Sequence, residues 1–198
     1  MDTSIVFAES DYHALRGHLL TDATREQGAF LLATRVETER TLKLAIQDVL
    51  PLDGDESVEH DGARLAIRLG ALFWATRRAA AGGLSVVVVR SHPWATDWVD
   101  FSAADERDGR SALATVRERV PGQIHGSMLL GYEAVAARLW RGDDAVPVDR
   151  IVVVGPHLHI VAPQRPRPVV EQSVALTHRG VRPPARIAAD GGQDRVGR

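Results

Sequence analysis

The stretch VVVVRSHPWATDWVDFSAADERD, Val86 to Asp108, decides how the rest of the chain is read. A run of four valines is apolar on both faces and predicts a strand buried under helices over Val86–Val89. Side chains two apart on a strand share a face, so Arg90 and His92 point the same way where this strand emerges. Pro93 stops the strand and leaves both groups at a sheet end, where ligands are often bound. A loop carrying Trp94 and Trp98 follows. Ser102 and Asp105 then fit the S-x-x-[DE] pattern of a capping box. A helix is predicted over Ser102–Val120, closed by Pro121-Gly122. In the structural reading Ser102 caps that helix and Asp105 reaches back to it. In the functional reading Asp105 turns from the first helical turn towards His92.

Upstream, SIVFAES reads as a strand, and DYHALRGHLLTDA as a short helix that Ser10 or Asp11 can cap. Ala29–Val36 and Thr41–Leu50 read as two strands, joined by the polar ETER turn into a hairpin. DGDESVEHDG is a loop by composition. In ARLAIRLGALFWATRRAAAGG, Leu65, Leu69, Leu72, Phe73, Thr76 and Ala80 follow helical spacing along one face. Arg64, Arg68, Arg77 and Arg78 lie largely off it, and Gly82-Gly83 ends the helix. Downstream, QIHGSMLLGY, AVAARLWRG and DRIVVVGPHLHIVAP read as strands. Beyond Pro163, residues 164–198 are rich in Arg, Pro and Gly and are expected to be a tail or linker behind a domain of residues 1–163. The element order predicts an α/β fold with a mixed sheet and too few βαβ units for a doubly wound one.

A chain of 198 residues with 44% hydrophobic content suits a single globular domain of ordinary size. The formal charge of -2 implies no polyanion, hence no nucleic-acid partner. Cysteine is absent, which removes disulfides, thiolate metal sites and a Cys nucleophile, and fits a reducing compartment. The first residues have neither the basic region nor the apolar run of a secretory signal, and no segment has the roughly 18 apolar residues of a membrane helix. A cytoplasmic protein without a membrane partner is expected. Its eight histidines are the main chemical resource.

Ser91-His92-Pro93 followed by Ser102-x-x-Asp105, with Glu26 and Gly28 far upstream in REQGAFLL, resembles the motif of the JAB (JAMM or MPN) metallopeptidases. The order of elements over roughly residues 4–162 resembles that family too. The resemblance implies a JAB/MPN-like, cytidine-deaminase-like domain, with a mixed, curved sheet flanked by helices. It implies zinc held by His92 and Asp105, with Glu26 as general base and Ser102 as oxyanion donor. It further implies hydrolysis of a peptide or isopeptide bond at the C-terminal tail of a ubiquitin-like modifier. Trp94 and Trp98, amphipathic aromatics in a polar loop, read either as cover for the core edge or as the lining of a groove for that tail. The segment ARIAADGGQDRVGR resembles the connector to a ThiF-type adenylyl-transferring domain in bacterial fusions, so such a protein is a second expected partner.

The chain departs from the family pattern in two places. The loop Trp94–Phe101 is long, and Arg90 stands where the family has its first His ligand. Arginine keeps its charge and repels a dication, or pairs with Asp105 or Glu26 in place of the metal. Asp97 and Asp100 are chemically suitable substitute ligands but read first as solvated loop acids. His125 reads as a partly buried structural histidine. His157 and His159 form a His-X-His pair with no carboxylate pattern beside it. Two functions stay open: a zinc-dependent isopeptidase, and a catalytically inactive relative that binds a modifier or a partner subunit.

Overall fold

A computed structural model describes residues 1–164 with the exception of residue 56. The expected tail lies outside these residues apart from Gln164. The chain runs β1 (Asp2–Ala8), α1 (Glu9–Leu19), β2 (Gly28–Glu37), β3 (Thr41–Pro51), β4 (Val58–Asp61), β5 (Arg64–Ile67) and α2 (Leu69–Gly82). It continues through β6 (Ser85–Ser91), α3 (Ala103–Arg119), β7 (His125–Leu130), β8 (Val135–Arg141), β9 (Asp144–Pro147), β10 (Arg150–Val154) and β11 (Leu158–Val161). All strands but β4 and β5 join one mixed sheet of nine, in the order β11-β10-β1-β3-β2-β6-β7-β8-β9.

The sheet curls because its ends are tied together. Two residues separate β9 from β10, although these strands lie at opposite ends of the order. Val148 N donates to Ala137 O at 2.9 Å, and Asp149 N donates to Thr3 O at 3.1 Å, so β8 is drawn towards β1. The concave face buries α1 through Tyr12, Leu15 and Leu19 among Ile5, Leu31, Leu44, Val87, Met128 and Ile151. On the convex face, Leu72, Ala75 and Ala79 of α2 and Val116 of α3 cover Phe30, Leu32, Val86 and Val88. This two-sided cover is why β6 is buried along its whole length, as its valine run predicts.

The long helix starts later than its periodicity suggests. α2 begins at Leu69, and Leu65 lies in the β4–β5 hairpin, which includes half of the segment expected to be a loop. Leu65 and Leu69 are four apart and mimic a helical stripe, but Leu65 is buried from a strand while Leu69 is 57% exposed and Phe73 39% exposed. The buried face of α2 instead follows Ala71, Leu72, Ala75, Thr76 and Ala79. Thr76 satisfies its hydroxyl by donating to Leu72 O at 2.9 Å, so it is tolerated there. α1 starts at Glu9 behind Ala8, and neither Ser10 nor Asp11 caps it. Among the described residues no helix is long and apolar enough to cross a membrane.

Candidate functional site

Strand register brings the first two groups together. In the antiparallel pair β2–β6, Gly28 lies opposite Arg90. Two residues further along, the same register sets Glu26 opposite His92. The pairing continues there: Ser91 N donates to Gln27 O at 2.9 Å, and Gln27 N donates to Ser91 Oγ at 2.7 Å. The β4–β5 hairpin holds Glu26 from the other side. Glu26 N donates to Ala63 O at 2.8 Å, Leu65 N donates to Glu26 Oε2 at 3.0 Å, and His60 Nε2 bonds Glu26 O at 2.9 Å. Gly28 leaves room for this arrangement, since a Cβ there would meet Leu65 Cδ2 at 2.6 Å.

α3 supplies the third group. Ser102 caps it and Asp105 completes the capping box. Asp105 Oδ2 accepts from Ser102 N at 2.9 Å and from Ser102 Oγ at 2.6 Å, while Asp105 N donates to Ser102 Oγ at 3.2 Å. Asp105 Oδ1 faces inwards, 3.7 Å from His92 Nε2 and 3.7 Å from Arg90 Nη1. Asp105 therefore serves the cap with one oxygen and faces His92 and Arg90 with the other. Ser102, however, directs its hydroxyl proton at Asp105.

Glu26, His92 and Asp105 thus converge, and Arg90 joins them. Its guanidinium is 8% exposed and lies 3.4 Å from Asp108 Oδ2 as well as close to Asp105. Asp108 is in turn paired with Arg64 at 2.5 Å. The result is a row Arg64–Asp108–Arg90–Asp105 of alternating charge. The sequence motif gives neither Arg64 nor Asp108 a place in the site. The available signal was spacing: Asp108 is one helical turn after Asp105 and shares its face. His92 Nε2 is sealed from solvent and has no hydrogen-bond partner among the described residues, its nearest carboxylate oxygen being Glu26 Oε1 at 3.4 Å.

Electrostatics separate the two carboxylates. Burial pushes Glu26 up, and the Leu65 N–H with the charges of His92 and Arg90 only partly opposes it. Burial also works to raise Asp105, but the nearness of His92 and the bonds from Ser102 outweigh it and hold that carboxyl well below the usual range.

A pocket opens onto these groups, lined by Glu26, Asp61, Arg64, His92, Trp94 and Asp105, with Asp100 and Ser102 also at its wall. Trp94 stacks on His92 with ring centroids 5.5 Å apart, and its outer face is exposed. Trp98 lies in the middle of the same loop, is less exposed than Trp94 and is not among the residues lining this pocket. Asp97 is exposed, and Asp100 Oδ1 accepts from Phe101 N at 2.8 Å. Neither approaches His92 in the way a replacement ligand would. His125 is a structural group: its Nδ1 accepts from Val86 N and its Nε2 donates to Val120 O, both at 3.0 Å. His157 and His159 lie exposed at the far end of the sheet.

The zinc implied by the sequence resemblance does not fit this donor set. One Asp105 oxygen is taken by the cap, and the other already faces a guanidinium. A dication placed about 6 Å from that charge, at an effective dielectric near 20, is repelled by about 5 kcal/mol. Among the described residues no group of three or more His, Cys, Asp or Glu side chains is arranged to hold a metal ion.

The fold defines a class: a curled mixed sheet with one helix on its concave face and two on its convex face. Within that class the chain is similar to the solution structure of protein DSY2949 from Desulfitobacterium hafniense, with a TM-score of 0.50 over 76% of this chain and 92% of that one. At 13% identity the likeness concerns the fold alone. No family model matches the chain. No curated protein matches it either.

Proposed function

We propose that the chain is a catalytically silent, metal-free relative of the JAB/MPN metallopeptidases, whose pocket binds the C-terminal tail of a ubiquitin-like modifier instead of cutting it. The observation that carries this reading is the buried Arg90 guanidinium beside Asp105, at the place where the family motif calls for a ligand to an ion. Its positive charge supports the carboxylates of the site in the way a bound cation would, without a Lewis acid to activate water. The exposed face of Trp94 at the pocket mouth is a rigid amphipathic surface of the kind that anchors a peptide.

The hydrolase reading keeps one observation in its favour: a Glu26 carboxyl raised by burial and set against His92 is poised as a general base. One experiment separates the two. A ubiquitin-like protein with an intact tail is titrated into the wild type and into Trp94→Ala, and a modifier–amine conjugate is incubated with wild type and Glu26→Gln, each with added zinc. The binding reading expects a complex weakened at least about 10-fold by Trp94→Ala and no cleavage. Cleavage by wild type that disappears in Glu26→Gln sinks it.

A further inference from the structure

We infer that the β11 edge is a self-association surface, through which two copies of this chain join their sheets about a two-fold axis. β11 terminates the sheet order, so its outer edge has no partner strand among the described residues. That edge carries neither lysine nor proline over Leu158–Val161, two of the devices by which sheets protect open edges. In the β10–β11 pair Val154 lies opposite Leu158 and Val152 opposite Ile160. These four share the outward face, because Ile151 and Val153 between them point into the concave core. Leu158 is 63% exposed, Ile160 59% and Val154 49%. The cluster under α2 and α3 takes in residues of β2, β3 and β6 and none of β1, β10 or β11, so among the described residues this end of the convex face is bare.

The patch itself has no charge to offer a partner. The ion pair at its margin, Arg150 with Asp2, is already closed within the chain. A charged partner surface would lose hydration here and gain nothing. A second copy brings the same uncharged aliphatic row and the same open edge, which is the self-complementarity a two-fold interface requires. Antiparallel pairing demands that facing residues point to one side of the sheet. Setting Leu158 opposite the second copy's Ile160 satisfies this. It produces one continuous row of Val152, Ile160, the second copy's Leu158 and the second copy's Val154.

Sedimentation of the full chain over a wide concentration range, with hydrogen exchange at Leu158–Val161, tests this. The expectation is a dimer whose β11 amides gain protection as concentration rises. Ile160→Lys and Leu158→Glu should each raise the dimer dissociation constant at least about 10-fold, and mixing the two variants should restore association, because the new charges face one another across the junction. Both side chains are exposed, so the monomer fold is expected to survive either change. A monomer at every concentration overturns the proposal. So does a dimer indifferent to both substitutions, or a β11 already protected in the dilute monomer, which would mean that the edge is covered from within the same chain.

Discussion

At position 90 one side chain settles what the neighbouring carboxylates can do. Arg90 brings a permanent charge into a place where Glu26, Asp105 and His92 are nearly excluded from water. Buried carboxylates need either a proton or a counter-charge, and Arg90 supplies the second to Asp105 and Asp108. Removing it leaves buried Asp105 with only His92 and the Ser102 cap, while Asp108 keeps Arg64. Arg90→Met is expected to lower the unfolding free energy by about 3–5 kcal/mol, read from denaturant titration, even though it replaces a charge with an apolar chain of similar length. A variant as stable as wild type would mean that the row of alternating charges contributes nothing. His125 illustrates the opposite strategy. Burial lowers its proton affinity, and it sits neutral, accepting from Val86 N and donating to Val120 O. A histidine depressed in the folded state contributes stability above the ordinary value near 6.5, which is lost as pH falls through it. Denaturation at pH 7.5 and 5.5 should show the loss in wild type and a shallower one in His125→Phe, which is also less stable throughout by about 1–3 kcal/mol from its orphaned backbone groups. A pH dependence unchanged by the substitution would assign the loss elsewhere.

The residue scale is also where the sequence speaks most directly. Arg90, His92, Ser102 and Asp105 are within a short span, and two local periodicities bring them together: two residues per strand repeat, and three to four per helical turn. Arg90 and His92 do face one Asp105 oxygen, as strand alternation requires. The tie from Glu26 to His92 is different in kind. It depends on β2 pairing with β6 in one register across more than fifty intervening residues, and no local pattern carries that information; Glu26 came into view only through resemblance. Arg64 is hidden because β5, which presents it, carries the spacing of the helix that follows.

Single elements show how local rules can mislead and how they can hold. The α2 misreading arises from RLAI, four residues whose two apolar members are also compatible with the helical spacing that follows. What decided for a strand was a tertiary partner, since Leu65 N holds Glu26 Oε2 and β5 pairs with β4. α3 behaves as its first turn dictates. Ser102→Ala should cost about 1 kcal/mol through the lost cap, measured by thermal or chemical unfolding. Asp105 Oδ2 would then keep only the bond from the backbone N–H of residue 102. The loop Trp94–Phe101 is long but well anchored. Tyr132 N donates to Ala95 O at 3.0 Å, Glu133 N donates to Thr96 O at 2.9 Å, and Gln164 Oε1 accepts from Val99 N at 3.2 Å. Gly131 permits the close approach, because a Cβ there would collide with the Ala95 carbonyl. Gly131→Ala should therefore push the loop outwards and unstack Trp94 from His92. Tryptophan fluorescence reads this directly, and an unchanged emission spectrum and quenching profile would show that the loop has another anchor.

For the molecule as a whole, the mixed α/β character and the flanking helices follow from the order of buried and amphipathic segments. The curl does not. It arises from the short β9–β10 link and the bonds of β8 and β10 to distant strands, and β9, with only four residues and little burial, leaves almost no apolar signature. The β2–β6 register and the first turn of α3 meet at one place, where the fold gathers two carboxylates and an imidazole and then closes the set with a guanidinium. The most direct measurement of that account is the metal content of the full chain purified without chelators, compared with Arg90→His prepared alongside it. Wild type should carry far less than one zinc per chain, while Arg90→His, with the charge removed and an imidazole in its place, should take up zinc towards one equivalent. One tightly held zinc per wild-type chain, retained on dialysis, would contradict it.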